Sequence, residues 1–147
     1  MAKIPNTLDE LRLQKLVVEL VKEHGGFAVK LAHRHLVGVP DLFVQIPFKP
    51  ALFLEAKQVS YRQVRKVPMA VTGPQFNFLK NAALAGMRCG VICFLQTPDA
   101  FGVVVEDVRT HQDYTGFEAD PNKAVWGSPK ERKKLVWEAL QAFYMIT

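Results

Sequence analysis

Asp41, Glu55 and Lys57 are the residues of this chain whose types and spacing can do chemistry. Asp41 closes the tetrapeptide Gly38-Val39-Pro40-Asp41, and thirteen residues separate it from Glu55-Ala56-Lys57. Alternation along an extended strand puts Glu55 and Lys57 on one face, with the Ala56 side chain on the other and its carbonyl still close. Leu52, Phe53 and Leu54 precede Glu55, so the carboxylate emerges from an apolar strand. Two acids converging in a partly dry site repel unless a cation lies between them. Oxygen ligands with no cysteine nearby select a hard ion such as magnesium or manganese. Such an ion polarises a phosphate and lowers the pKa of a bound water. An ammonium group two residues on can neutralise the charge that builds up in the transition state. The bland alternative makes Asp41 a strand-start acid and Glu55–Lys57 an ion pair on the surface.

For the acids to meet, the segments around them must form a hairpin. Asp41–Ile46 and Leu52–Lys57 read as strands joined by a short turn at Pro47–Pro50. In an antiparallel pair the start of one strand lies beside the end of the next, which brings Asp41 to Glu55. Phe27–Ala32 is a third extended stretch. A helix precedes it, capped by Thr7 or Asn6 and running to about His24. Its apolar stripe is Leu13, Leu16, Val17, Leu20 and Val21, and Gly25-Gly26 ends it. Residues 58–71 read as a polar, basic loop. A second helix spans about Pro74–Ala85, opened by the capping box Thr72…Gln75.

Cys89–Leu95 and Phe101–Val108 read as strands, 109–127 as an irregular loop, and Ser128-Pro129…Glu131 as the start of a last helix to about Tyr144. The order implies an α/β fold with a mixed central sheet flanked by helices. The link from the third strand through the second helix to the Cys89 strand has the length of a parallel crossover.

Basic residues cluster near the acids. Lys30, His33, Arg34 and His35 precede the Gly38–Asp41 turn, and Tyr61, Arg62, Arg65 and Lys66 follow Lys57. Cations interleaved with an aromatic ring suit phosphate contact and base stacking. A solvated loop is the competing reading for both runs. Lys130, Arg132, Lys133 and Lys134 open the last helix, where cations oppose its dipole, and read first as a solvated face.

Pro40-Asp41 and Glu55-Ala56-Lys57 resemble the two motif pieces of the PD-(D/E)XK nuclease superfamily. The chain looks most like its VRR-NUC branch and the archaeal Holliday junction resolvases. The resemblance covers about residues 8–95 and includes Gly25-Gly26-Phe27, Gly38–Leu42, Phe53–Lys57, Gln75 and Gly86. It implies a restriction-endonuclease-like core of αβββαβ order with an extra C-terminal helix. It also implies magnesium held by Asp41, Glu55 and the Ala56 carbonyl, and phosphodiester hydrolysis assisted by Lys57.

A carboxylate from the first helix is implied as well. The position expected for it holds Gln14, so Glu10, one turn earlier on nearly the same face, is the candidate ligand. Gln14 is then an amide helper, and Glu19 lies on the outer surface. Glu10 reads equally well as a first-turn acid favoured by the helix dipole. Gln75 has two readings: half of a capping box, or the glutamine that the related families place near the site.

The bulk numbers agree with this frame. The 147 residues suit one domain, with a core at about 8–108 and a C-terminal loop and helix at 109–147. With 49% apolar and 22% charged residues the chain is ordinary for a globular protein, which excludes a disordered one. The net charge of +5 favours an anionic partner, here DNA. Cys89 and Cys93 read as buried strand residues in a reducing compartment, and C-x3-C without a second pair is a poor zinc pattern. With no apolar run long enough for a membrane span and no leader segment, an intracellular protein is expected, cytoplasmic, nucleoid-associated or viral. A homodimer is plausible on the ground that cutting two strands takes two sites. The expected activity is metal-dependent DNA endonuclease, with branched or junction DNA and plain duplex both open as substrates. The competitors are a non-catalytic nucleic-acid-binding module and a structural subunit on the same fold.

Overall fold

The computed structural model describes residues 8–31, 37–60 and 67–145. Helix α1 (Glu10–Glu23) leads into β1 (Phe27–Lys30), β2 (Leu42–Gln45) and β3 (Leu52–Ser60). The short β4 (Val67–Pro68) and helix α2 (Gly73–Leu84) follow, then β5 (Arg88–Gln96) and β6 (Phe101–Asp107). The chain ends with β7 (Glu118–Ala119), β8 (Val125–Gly127) and α3 (Arg132–Met145). A six-stranded sheet runs β1-β2-β3-β5-β6-β8, and β4 pairs with β7 apart from it. β3 and β5 are parallel and the other pairs antiparallel, so the sheet is mixed and α2 lies on the crossover between its two parallel strands. With the two-residue β4 set aside, α1 to β5 follow the expected restriction-endonuclease-like αβββαβ order, and β6, β8 and the C-terminal helix α3 are added to it.

Alternation along the central strands builds two cores. Leu42, Val44, Leu52, Leu54, Ala56, Ile92 and Phe94 face one side, where Leu13, Val17, Leu20 and Val21 of α1 and Val136, Leu140 and Phe143 of α3 close over them. Val91, Cys93 and Leu95 face the other side, against Phe76 and Leu79 of α2 and against Met69 and Phe117. Each fully buried leucine contributes about 1.5–3 kcal/mol of transfer free energy. Val136, Leu140 and Phe143 of α3 are core, while Met145 at its end is exposed. Trp137 stacks on His24 with ring centroids 3.7 Å apart, and the Tyr144 hydroxyl donates to the Pro50 carbonyl at 2.8 Å. Cys89 and Cys93 are free and buried, as expected of strand residues; burial pushes the Cys89 thiol up to about 11 and Cys93 well above the ordinary thiol value.

Several boundaries differ from the expectations. The N-cap of α1 is Asp9, whose carboxylate accepts the Arg12 amide at 2.9 Å, in place of Thr7 or Asn6. The cause is tertiary: the Leu8 main chain is hydrogen-bonded to Gln96, so the helix starts only after it. β3 continues through Gln58 and Val59 to Ser60, because its parallel partner β5 runs alongside as far as Gln96. The stretch 109–127 is not wholly irregular. It holds a 3-10 turn at Val108–Thr110 and two short strands, which pair with β4 and β6 and are too brief to show a period. The Ser128–Glu131 capping box opens a 3-10 turn that leads into α3. No helix among the described residues is long and apolar enough to cross a membrane.

Candidate metal centre

The hairpin does what the spacing requires. Leu42 pairs with Leu54, so one further step along the register sets Asp41 across from Glu55. Asp41 Oδ2 accepts the Ala56 amide at 2.9 Å, which fixes the carboxylate at the strand's rim and brings the Ala56 peptide to it. Glu55 and Lys57 share the α2 side of β3, since Leu54 and Ala56 belong to the opposite core.

Gln75 closes the site from α2. Its Nε2 donates to Glu55 Oε1 at 3.2 Å. Its Oε1 accepts the Thr72 amide at 3.0 Å, and its own amide donates to Thr72 Oγ1 at 3.3 Å. The two readings of Gln75 therefore hold together: the capping box orients the amide that faces the acid. Gly38 makes this approach feasible. Its φ is +87°, and a Cβ built on it would lie 2.3 Å from the Pro74 carbonyl oxygen.

Glu10 reaches the cluster's edge from α1, where its Oε1 accepts the Gln58 amide at 3.3 Å. It does more than favour the helix dipole, because its carboxylate spans from α1 to β3. Gln14 is buried on the same helix, and Glu19 is exposed, as expected.

The electrostatics follow from this packing. Glu55 is only 2% exposed, and burial pushes its carboxyl up to about 9. The adjacent Asp41 carboxylate adds to the rise, as a partner for the proton and as a like charge; Lys57 opposes it and Glu10 adds a smaller push. Apart from the proton it can share with Asp41, Glu55 Oε2 is buried with no hydrogen-bond partner among the described residues. An orphaned carboxylate oxygen beside a second carboxylate is what a hard cation satisfies, so these residues fit a magnesium or manganese ion. Among the described residues, no three His, Cys, Asp or Glu side chains are grouped closely enough to hold a metal between them. Asp41 and Glu55 are the carboxylates that the hairpin brings together, and Glu10 lies beside that pair, against the Gln58 amide.

The basic residues divide. Lys30 is exposed at the end of β1, and its neighbour Leu31 donates its amide to the Asp41 carbonyl at 2.8 Å. His33, Arg34, His35, Tyr61, Arg62, Arg65 and Lys66 lie outside the described residues. The run that opens α3 is engaged locally: Lys133 pairs with Glu23, Lys134 with Glu131, and the Arg132 guanidinium sits 5.3 Å from the Phe101 ring centroid. Gln58 and Gln96 are part of the site's frame and were not among the residues singled out from sequence. The only available signal was a polar residue at the end of an otherwise apolar strand.

No protein-family model matches this chain, and no curated protein matches it. Among solved structures it is similar to a VRR_NUC domain, at 23% identity and a TM-score of 0.44, over 60% of this chain and 85% of that one. It is also similar to Hjc, a Holliday junction resolvase from the archaeal hyperthermophile Archaeoglobus fulgidus. That likeness has 14% identity and a TM-score of 0.47, over 93% of this chain and 88% of the other. The chemistry of the site rests on this chain's own side chains.

Proposed function

We infer that the chain is a divalent-metal-dependent endonuclease that hydrolyses DNA phosphodiester bonds. One observation carries the reading: two carboxylates meet at a hairpin rim, one of them buried with an unsatisfied oxygen, next to a lysine on the same strand face. Asp41, Glu55 and the Ala56 carbonyl would hold the ion. When bound, magnesium or manganese neutralises the acid pair, polarises the scissile phosphate and lowers the pKa of a water. Gln75 keeps Glu55 aimed into the site. The Lys57 ammonium offsets the negative charge that grows on the phosphate. Lys30, with the basic runs at 33–35 and 61–66, is placed in sequence to meet the DNA backbone on either side.

The assembly we favour is a symmetric pair. Phe27, Phe43, Phe53 and Phe78 form a continuous edge-to-face row across β1, β2, β3 and α2, with centroid separations of 6.4, 5.6 and 5.7 Å. Phe27 is 56% exposed at its outer end. A two-fold interface sets a surface patch against its own copy, and an uncharged aromatic face does so without like-charge repulsion.

A cleavage panel of junction, flap, single-stranded and plain duplex DNA, with magnesium, manganese or chelator, tests the function and its structure selectivity. Asp41→Asn should abolish cleavage while binding in calcium persists. Lys57→Ala should lower kcat by about 10²–10³-fold, the size of effect for one electrostatic stabiliser. A wild-type chain that binds DNA but cuts none of these substrates with either metal would establish the non-catalytic module instead.

A further inference from the structure

Gln96 ends β5 and is 1% exposed. A buried primary amide must satisfy its N–H donors and its carbonyl or pay the full desolvation cost. Gln96 does so by joining three parts of the chain. Its Oε1 accepts the Leu8 amide, and its Nε2 donates to the Leu8 carbonyl and to Gln58 Oε1, each at 2.9 Å. The pair with Leu8 copies the two-point exchange of a β-bridge, with a side chain in place of a strand.

The two partners flank Glu10's own contact. Leu8 stands next to the N-cap Asp9, and Gln58 offers its amide to Glu10 Oε1 at 3.3 Å. One buried amide therefore grips the chain just ahead of Glu10 and the strand residue against which Glu10 rests. We propose that Gln96 is a positioning residue of the acid cluster, fixing where α1 begins and so holding Glu10 against β3 near Asp41 and Glu55. Its consequence for metal binding rests on the nuclease reading; its mechanical part stands on the hydrogen bonds alone.

Gln96→Met keeps the length of the side chain and removes all three hydrogen bonds. In metal-free protein, exchange of the Arg12 and Leu13 amides, both bonded to Asp9, should quicken by about tenfold or more. Amides in the middle of β5 should keep their protection. In calorimetric titration, Gln96→Met should weaken Mn2+ binding by about tenfold, as expected when a group that orients a metal site is lost. Glu10→Gln should weaken it comparably. The double variant should be no weaker than Glu10→Gln alone, because Gln96 acts through Glu10.

Losses that multiply, an unchanged Mn2+ affinity in Gln96→Met, or unchanged exchange at Arg12 and Leu13 would each overturn the proposal. If Gln96→Met does not fold, Gln58→Ala removes one arm of the clamp and should show the same non-additivity with Glu10→Gln. A wild-type chain that neither binds Mn2+ nor cuts DNA would end the nuclease reading, while the exchange measurement would still decide whether Gln96 anchors the first turn of α1.

Discussion

Glu55 ordinarily titrates near 4.5, and burial beside Asp41 pushes it up to about 9. Between those values the folded, metal-free protein binds a proton that the unfolded chain releases. Stability is therefore fully supported below about 4.5 and is lost progressively as pH rises towards 9. Melting curves in chelator should show Tm falling from pH 5 to pH 9, and Glu55→Gln, which stays neutral, should flatten the slope. A wild-type Tm that rises over that interval would contradict the buried acid pair. On the proposed function Mn2+ would take the proton's place at saturation, so it should raise Tm most at high pH. Asp41, Glu55 and Lys57 were legible in the sequence because strand alternation is strict: two residues apart means the same face. Glu10 was harder to choose, since a helix presents several acids and only its seating on β3 decides which one reaches Gln58. Gln96 showed in the sequence only as a polar residue at the end of an apolar strand. Its role depends on a partner 88 residues away, and no local pattern reports that.

Helix α2 meets the site at two places, Glu55 on β3 and the turn at Gly38. Thr72 and Gln75 were readable as a capping box, and the structure adds that the same amide faces Glu55. Gly38 was readable as part of a turn but not as the place where that turn meets α2. Its left-handed φ and the 2.3 Å approach to Pro74 leave no room for a side chain. Gly38→Ala should destabilise the protein by about 1–3 kcal/mol, through strain at a special backbone position. It should also lower cleavage further than the stability loss explains, because the turn must retreat from α2 and Gln75 with it. Denaturant unfolding paired with kcat at a fixed folded fraction would check this, and a cut rate equal to wild type would refute it. The short strands β7 and β8 escaped sequence reading for the opposite reason. Two or three residues carry no period, and only their partners β4 and β6 define them.

At the scale of the whole molecule, charge and apolar surface point to different partners. The net charge of +5 suits DNA, and binding should weaken steeply with added salt. The Phe27–Phe43–Phe53 row bears no charge and suits a second copy. Phe27→Asp with Phe43→Asp should convert a dimer to a monomer in sedimentation and reduce paired cuts on a symmetric junction to single nicks. Unchanged sedimentation would remove this face as the interface. Val136, Leu140 and Phe143 of α3 are buried in the core beside α1 and β6 and offer no free face.

The turn between β2 and β3 has a practical use. Phe48 adopts a left-handed φ of 64° and its side chain is entirely exposed, at the end of the hairpin remote from Asp41 and Glu55. A bulky residue held there gains nothing from packing and gives up about 1–2 kcal/mol in backbone preference. The tip should therefore accept a cysteine carrying a fluorophore, or a tether to a surface, without disturbing the rim where Asp41 and Glu55 meet. It offers a mooring point from which one molecule could be watched as it engages its substrate.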